Sequence, residues 1–167
     1  LTGLDGRVVE GQRNRGIRVR EGGKTLIKRD FSGKPRRVNT ALLRLLLDHG
    51  YTPVLSIPIL DEQRHAINSE NDDIVTVLQE SLGAPRIIHL IEASGFLADP
   101  DDPDSRVPHL TRDALARREQ EVEGRMRRKL LALTRLLDTG ATEVIISDGR
   151  VEHPIRDALA GKGTRIG

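Results

Sequence analysis

The stretch HAINSENDDIV, residues 65–75, carries Asn68, Ser69, Glu70, Asn71, Asp72 and Asp73 without interruption. A mostly apolar run ends at Leu60, and a helix-spaced apolar run begins at Ile74. The polar island therefore falls at the mouth of a helix, where unpaired N–H groups and the positive end of the dipole are presented. A single capping side chain, Asn71 or Asp72, would satisfy such an end. Six consecutive polar residues exceed that need, and a carboxylate here can also hold lysines or a metal against phosphate oxygens.

Two other stretches could serve phosphate chemistry. In EGRMRRK (123–129), Gly124 precedes a basic helix start and permits close approach of a phosphate, with Lys129 about one turn into the helix. Arg127 and Arg128 read as a solvated basic face. In IEASGFLAD (91–99), Glu92 and Gly95 follow a buried strand, where a loop could seat a nucleotide or simply turn the chain. His49, His65, His89, His109 and His153 are scattered without metal-ligand spacing. GxSxG, GxxxxGK[ST] and GxGxxG are all absent, which removes the hydrolase elbow, the P-loop and the Rossmann fingerprint.

These residues need elements to position them. Residues 7–10, 16–20 and 24–29 read as short strands, with Glu21-Gly22-Gly23-Lys24 as a hairpin turn. Helices are expected over 38–48, closed by Gly50, and over 74–82, closed by Gly83. Further helices are expected over 111–118, 125–138 and 154–160. Residues 52–60, 86–91 and 142–147 read as buried strands, GTRIG as a last strand end, and 98–108 as an Asp- and Pro-rich loop. Strands apolar throughout and separated by helices predict an α/β fold with a parallel sheet covered on both faces. Ligands in such sheets lie outside the carboxyl ends of the strands, where the polar island falls.

Composition narrows the function classes. With 31% charged and 37% apolar residues, the chain suits a soluble globular protein. No apolar run approaches ~18 residues and no signal-peptide pattern occurs, so no membrane partner is expected and the cytoplasm is the default. There is no cysteine, hence no disulfide scaffold and no thiolate metal site. A formal charge of +2 and 2% aromatics argue against nucleic-acid binding. The charge is unevenly spread. Residues 7–30 hold eight Arg and Lys against Glu10, Glu21 and Asp30, a local net of +5, which leaves −3 for the remainder. The chain starts at Leu1 and its only methionine is Met126, so it is expected to be a piece of a longer protein.

Taken in order, several stretches resemble the amino acid kinase family, and within it the N-acetylglutamate kinase branch. LTGLDGR (1–7) is similar to the glycine-rich approach to that family's hairpin, and RVNTALLRLLLDHGYTPVLSIPIL (37–60) to its helix and central strand. AINSENDD (66–73) resembles its Asn-x-Asn-x-Asp motif, HLIEASGFLAD (89–99) its nucleotide-side strand and loop, and GRMRRK its Gly-x-Met-x-x-Lys segment. VIISDGRVEHPIRDALAGKGTRI (144–166) is similar to its closing strand, helix and Gly-Thr strand. TGLDGR, AIN and the run from GRMRRK to HPIRDAL stand nearest to kinases of 2-aminoadipate or glutamate held on an amino-group carrier protein. Glu70, Asp73, Val75 and Ile91 depart from the family's usual residues.

The resemblance implies a three-layer αβα sandwich with a mainly parallel central sheet and an inserted β-hairpin, its N-terminal part missing. It implies one incomplete domain over 1–167, with a glycine-rich, basic hairpin region at 1–36 and a nucleotide-binding lobe at 37–167. The implied reaction moves the γ-phosphoryl of ATP, with Mg²⁺, onto a side-chain carboxylate. Asp72 and Lys129 would be catalytic, Asn68 would contact substrate, and Glu92, Gly95, Gly124 and Met126 would border the nucleotide. No metal site built from protein side chains is implied. Arg13, Arg15, Arg18 and Arg20 would dock the small acidic carrier protein, and the full-length enzyme would be a homodimer. The 167 residues alone would be inactive, lacking an upstream lysine. Two other readings are a kinase of free N-acetylglutamate and a non-catalytic module of the same fold.

Overall fold

The computed structural model describes residues 1–28, 30–99, 101–121, 124–141 and 143–167, and at 17, 28, 124–126, 128 and 129 the backbone course without the side chain. The chain divides into two units, Leu1–Leu82 and Gly83–Gly167, each described by itself.

In the first unit, a 3-10 turn (Asp5–Arg7) leads into β1 (Val9–Arg13), followed by the hairpin strands β2 (Ile17–Glu21) and β3 (Lys24–Lys28) and then β4 (Gly33–Val38). Helix α1 (Thr40–Asp48), the two-residue strands β5 (Ile59–Leu60) and β6 (Ala66–Ile67), and helix α2 (Asn71–Leu82) complete it. The sheet order is β4-β1-β5-β6, with β2 and β3 as a separate two-stranded ribbon. Val8, Val9, Val38, Leu43, Ile59, Ile67 and Ile74 form the core. Asn39 caps α1: its side-chain oxygen accepts from the Leu42 N–H at 3.2 Å, and its amide donates to the Gly6 carbonyl at 2.8 Å. Only Leu43 of the α1 leucines is buried, while Leu45 and Leu47 lie about half exposed.

In the second unit, β7 (Arg86–Ile91), β8 (His109–Leu110), α3 (Arg112–Glu121), α4 (Gly124–Asp138), β9 (Glu143–Asp148), α5 (Pro154–Leu159) and β10 (Thr164–Ile166) follow in order. The sheet order is β7-β9-β10-β8. Val144, Ile145 and Ile146 of β9 are buried on both faces of that strand, as the continuous apolar reading predicts.

The α/β class is as expected, and both sheets are mixed. β1 with β5, β7 with β9 and β10 with β8 are parallel, whereas β1 with β4, β5 with β6 and β9 with β10 are antiparallel. The strand expected at 52–60 shrinks to Ile59–Leu60 plus a single bridge from Ser56 to Thr2. Pro53 and Pro58 have no N–H to give a ladder. Conversely, GKPRRV forms β4, which lies at the edge of its sheet, where Pro35 is tolerated.

Candidate functional site

The island residues sit where β6 runs into α2. Asn68 is exposed, but its backbone is pinned on both sides. Its N–H donates to the Phe31 carbonyl at 2.7 Å, and its carbonyl accepts from the Gly33 N–H at 2.9 Å. Gly33 is where this close approach is built. A Cβ there would lie 2.3 Å from the Gln12 carbonyl oxygen and 2.6 Å from the Ile67 side chain. The Ile74 N–H donates to the Glu70 carbonyl at 3.2 Å, which opens the helical ladder.

Asp72 lies exposed in the first turn of α2. No partner for its carboxylate occurs among the described residues, so it does not serve as the helix cap there. Asp73, by contrast, faces Lys34 at 3.5 Å. Ser69 is buried, and its hydroxyl has no hydrogen-bond partner among the described residues. Among the described residues, the helix mouth thus keeps a carboxylate and a hydroxyl without partners, beside the Asn68 amide.

Behind Asn68, Asp61 closes the turn between β5 and β6. Its side chain accepts the N–H groups of Gln63 and His65 at 2.9 and 2.7 Å, and the His65 ring stands 3.4 Å away. Burial pushes the Asp61 carboxyl up, but these donors and the His65 ring together hold it below its ordinary value.

The hairpin arginines differ among themselves. Arg15, Arg18 and Arg20 are exposed. Arg18 and Arg20 face Ile27 and Thr25 across the ribbon, so all four share one face. Arg13 is half-buried and turned inward. Its Nε donates to the Asp30 carbonyl at 3.1 Å, and its guanidinium lies 3.7 Å from the Phe31 ring centroid. Of the eight basic residues counted in 7–30, Arg29 lies outside the described residues, and nothing is described of the Lys28 side chain.

In the second unit a cleft of about 290 Å³ is lined by Ser94, Arg106, Ser147, Asp148, Val151, Asp157, Ala160, Gly161 and Lys162. Gly95 is buried beside it, at φ 150°. A Cβ at Gly95 would lie 2.7 Å from the Thr164 hydroxyl, which accepts from the Phe96 N–H at 2.8 Å and donates to the Val107 carbonyl at 2.6 Å. Glu92 is exposed at the end of β7. Its charge adds to that of Asp148 in raising the affinity of Arg150 for its proton, Asp148 supplying the larger share. The hydrogen bonds from the Arg150 side chain and N–H hold the Asp148 carboxyl down to about 2.

Sequence reasoning passed over Asp148, Asp157, Lys162 and Ser147, because SDGR and AGKGT carry no spacing signal of their own. Lys162 pairs with Asp157 at 3.3 Å. Ser147 is buried in β9 and donates to the Lys162 carbonyl at 2.6 Å.

Gly124, Met126 and Lys129 lie on the backbone of α4, and their side-chain positions lie outside what is described. Among the described residues, no group of three or more His, Asp or Glu is placed to hold a metal ion. The cleft holds two cations and two anions, Arg106 and Lys162 beside Asp148 and Asp157, and at Gly163, the residue after Lys162, a Cβ would meet the Ile146 carbonyl oxygen at 2.5 Å.

The chain is 38% identical over 169 residues to the LysW-aminoadipate kinase of Thermus thermophilus, covering 99% of this chain and 63% of that protein. It is 30% identical over 125 residues to the acetylglutamate kinase of Methanothermobacter thermautotrophicus, covering 74% of this chain and 43% of the relative. The chain thus spans less than two thirds of the length of these curated relatives. A solved structure of the N-acetylglutamate synthase of Neisseria gonorrhoeae, with coenzyme A and L-arginine, superposes with a TM-score of 0.78. It covers 100% of this chain and 37% of that one, and at 20% identity this likeness carries the fold alone. The model of the amino acid kinase family matches residues 6–148, from the 3-10 turn through the end of β9. The chain belongs to the amino acid kinase family.

Proposed function

We propose that the intact protein transfers the γ-phosphoryl group of ATP to the side-chain carboxylate of 2-aminoadipate or glutamate carried on a small acidic amino-group carrier protein, in lysine or arginine biosynthesis. The 38% identity to a LysW-aminoadipate kinase over nearly the whole chain is the observation that carries this reading. A cytoplasmic setting accords with it. Among the described residues no helix is long and apolar enough to cross a membrane.

The chemistry asks little of general bases. The acceptor carboxylate is deprotonated at neutral pH, so catalysis rests on aligning two anions and offsetting the charge on the transferring group. The helix mouth of α2 supplies one part. Asn68, held by two backbone bonds, would orient the acceptor, and Asp72 would orient the ammonium groups of catalytic lysines. In the second unit, Ser94 and Lys162, the latter on leaving Asp157, would face nucleotide oxygens, with Glu92 and Gly95 beside that cleft. Gly124 and Met126 would lie along the nucleotide, and Lys129 would stabilise the transferring phosphoryl. Mg²⁺, carried by the phosphate oxygens, would supply further charge neutralisation. The exposed Arg15, Arg18 and Arg20 would meet the acidic carrier.

The test is trapping of the acyl phosphate with hydroxylamine. The intact protein, given ATP, Mg²⁺ and carrier-bound aminoadipate or glutamate, should yield the hydroxamate. No hydroxamate with either acceptor would exclude this reading. Hydroxamate formed only from free N-acetylglutamate would move the assignment to the acetylglutamate kinases.

A further inference from the structure

The environment of Arg13 differs from that of the other hairpin arginines. Its N–H donates to the Glu62 carboxylate at 3.0 Å and its Nε to the Asp30 carbonyl at 3.1 Å, while its guanidinium covers the Phe31 ring at 3.7 Å. The same ring meets the His65 ring edge-on, with centroids 6.2 Å apart at 79°. Phe31 is nevertheless 58% exposed. Burial alone does not fix it, and the cation above the ring and the hydrogen bond beside it carry more of that task. A two-stranded ribbon such as β2–β3 is also marginal in water, so its base must be held from outside the ribbon.

Phe31 is the residue whose carbonyl accepts the Asn68 N–H, and Asp30 binds the Ser32 hydroxyl at 2.7 Å in the segment that bridges to Asn68. Arg13 therefore grips both residues immediately before the Ser32–Asn68 bridge. We propose that Arg13 is a positioning residue for Asn68: it fixes the returning leg of the hairpin at Asp30–Phe31, and that leg sets where Asn68 stands. The kinetic part of this inference rests on the reading of Asn68 as an acceptor contact. The structural part does not.

The experiment measures amide hydrogen exchange and steady-state kinetics on the intact protein with Arg13→Met and Arg13→Lys. Loss of one hydrogen bond and one cation–π contact should speed exchange of the Asn68 amide by about tenfold, with β7 and β9 amides unchanged. The KM for the acyl acceptor should rise by about tenfold, while the KM for ATP and the salt dependence of the acceptor KM stay as in the wild type. Arg13→Lys should behave like Arg13→Met, because the lysine ammonium lacks the planar guanidinium that lies over the ring while its Nε–H binds the carbonyl. If Arg13→Met does not fold, Arg13→Lys carries the same measurement.

Unchanged exchange at Asn68 would overturn the proposal. So would full rescue by lysine together with an acceptor effect that vanishes at high salt, since that would make Arg13 a docking charge. Faster exchange at Asn68 in a protein that phosphorylates no acyl acceptor, wild type included, would uphold the positioning role and overturn the proposed function.

Discussion

The carbonyl of Asn68 accepts from the N–H of Gly33 at 2.9 Å, which ties the exposed asparagine to the first residue of β4. The contact depends on the missing side chain at Gly33. A methyl group there would meet the Gln12 carbonyl oxygen, the Ile67 side chain and the Arg13 Cα within 3.0 Å. Gly33→Ala should lower stability by roughly 1–3 kcal/mol, the range for overpacking a tight site. Urea unfolding should show this as a lower midpoint at unchanged slope. An unaltered midpoint would mean that β1 and β4 part easily and that Asn68 is not held by them.

Asp148 accepts the Arg150 N–H and Nε at 2.9 Å each and its Nη2 at 2.8 Å, so its carboxyl is held down to about 2 from an ordinary 3.8. A carboxyl depressed on folding contributes stability that is complete above the unfolded value and is lost as pH falls through the folded one. The contribution should therefore be full above about pH 4 and fade toward pH 2. Carboxyl NMR titration should give a midpoint near 2 for Asp148, moving toward 3.8 in Arg150→Met. A wild-type midpoint already at 3.8 would mean the pair is not formed in solution.

Lys129→Met in the intact protein should lower kcat by about 10²–10³, as for removal of one preorganised donor, with little change in the KM for ATP. Asp72→Asn should also lower kcat. The carboxylate makes no capping contact among the described residues, so the melting temperature should move little. A stability loss without a rate loss would return Asp72 to an ordinary helix-end role.

Reversal of Arg18 and Arg20 to Glu should raise the KM for carrier-bound acceptor and leave the KM for ATP unchanged. The two arginines share a ribbon face with Ile27, which is 63% exposed. For an electrostatic contact, the wild-type carrier KM should climb between low and high salt. If neither charge reversal nor salt moves it, this face merely keeps a free ribbon from pairing with other strands.

Much of the secondary structure was legible locally. The helices ending before Gly50, Gly83 and Gly140 were bounded by glycines that adopt positive φ of 79°, 70° and 99°, a conformation other residues rarely take. The apolar runs of β7 and β9 lie within a residue of where they were read. The polar island at the head of α2 was visible because a cap needs one side chain and six polar residues stand there.

What escaped a local reading depended on partners far along the chain. GKPRRV carries no strand signal and becomes β4 because β1 offers it a ladder. TPVLSIPIL has a strong one, yet only Ile59–Leu60 forms a regular strand, because Pro53 and Pro58 have no N–H to donate and the rest meets the chain start through irregular bonds at Val54, Ser56 and Pro58. Arg13 looked like its neighbours Arg15, Arg18 and Arg20, and folding separates it from them. Asp30, Phe31 and Glu62 reach it from 17, 18 and 49 residues away, and no residue pattern within the hairpin encodes which of four arginines will meet them. Thr164 likewise joins Phe96 and Val107, 68 and 57 residues upstream, and so fixes Gly95. Helices and turns follow from neighbours within a few residues, whereas strand pairing and side-chain clamps form only when distant segments pack.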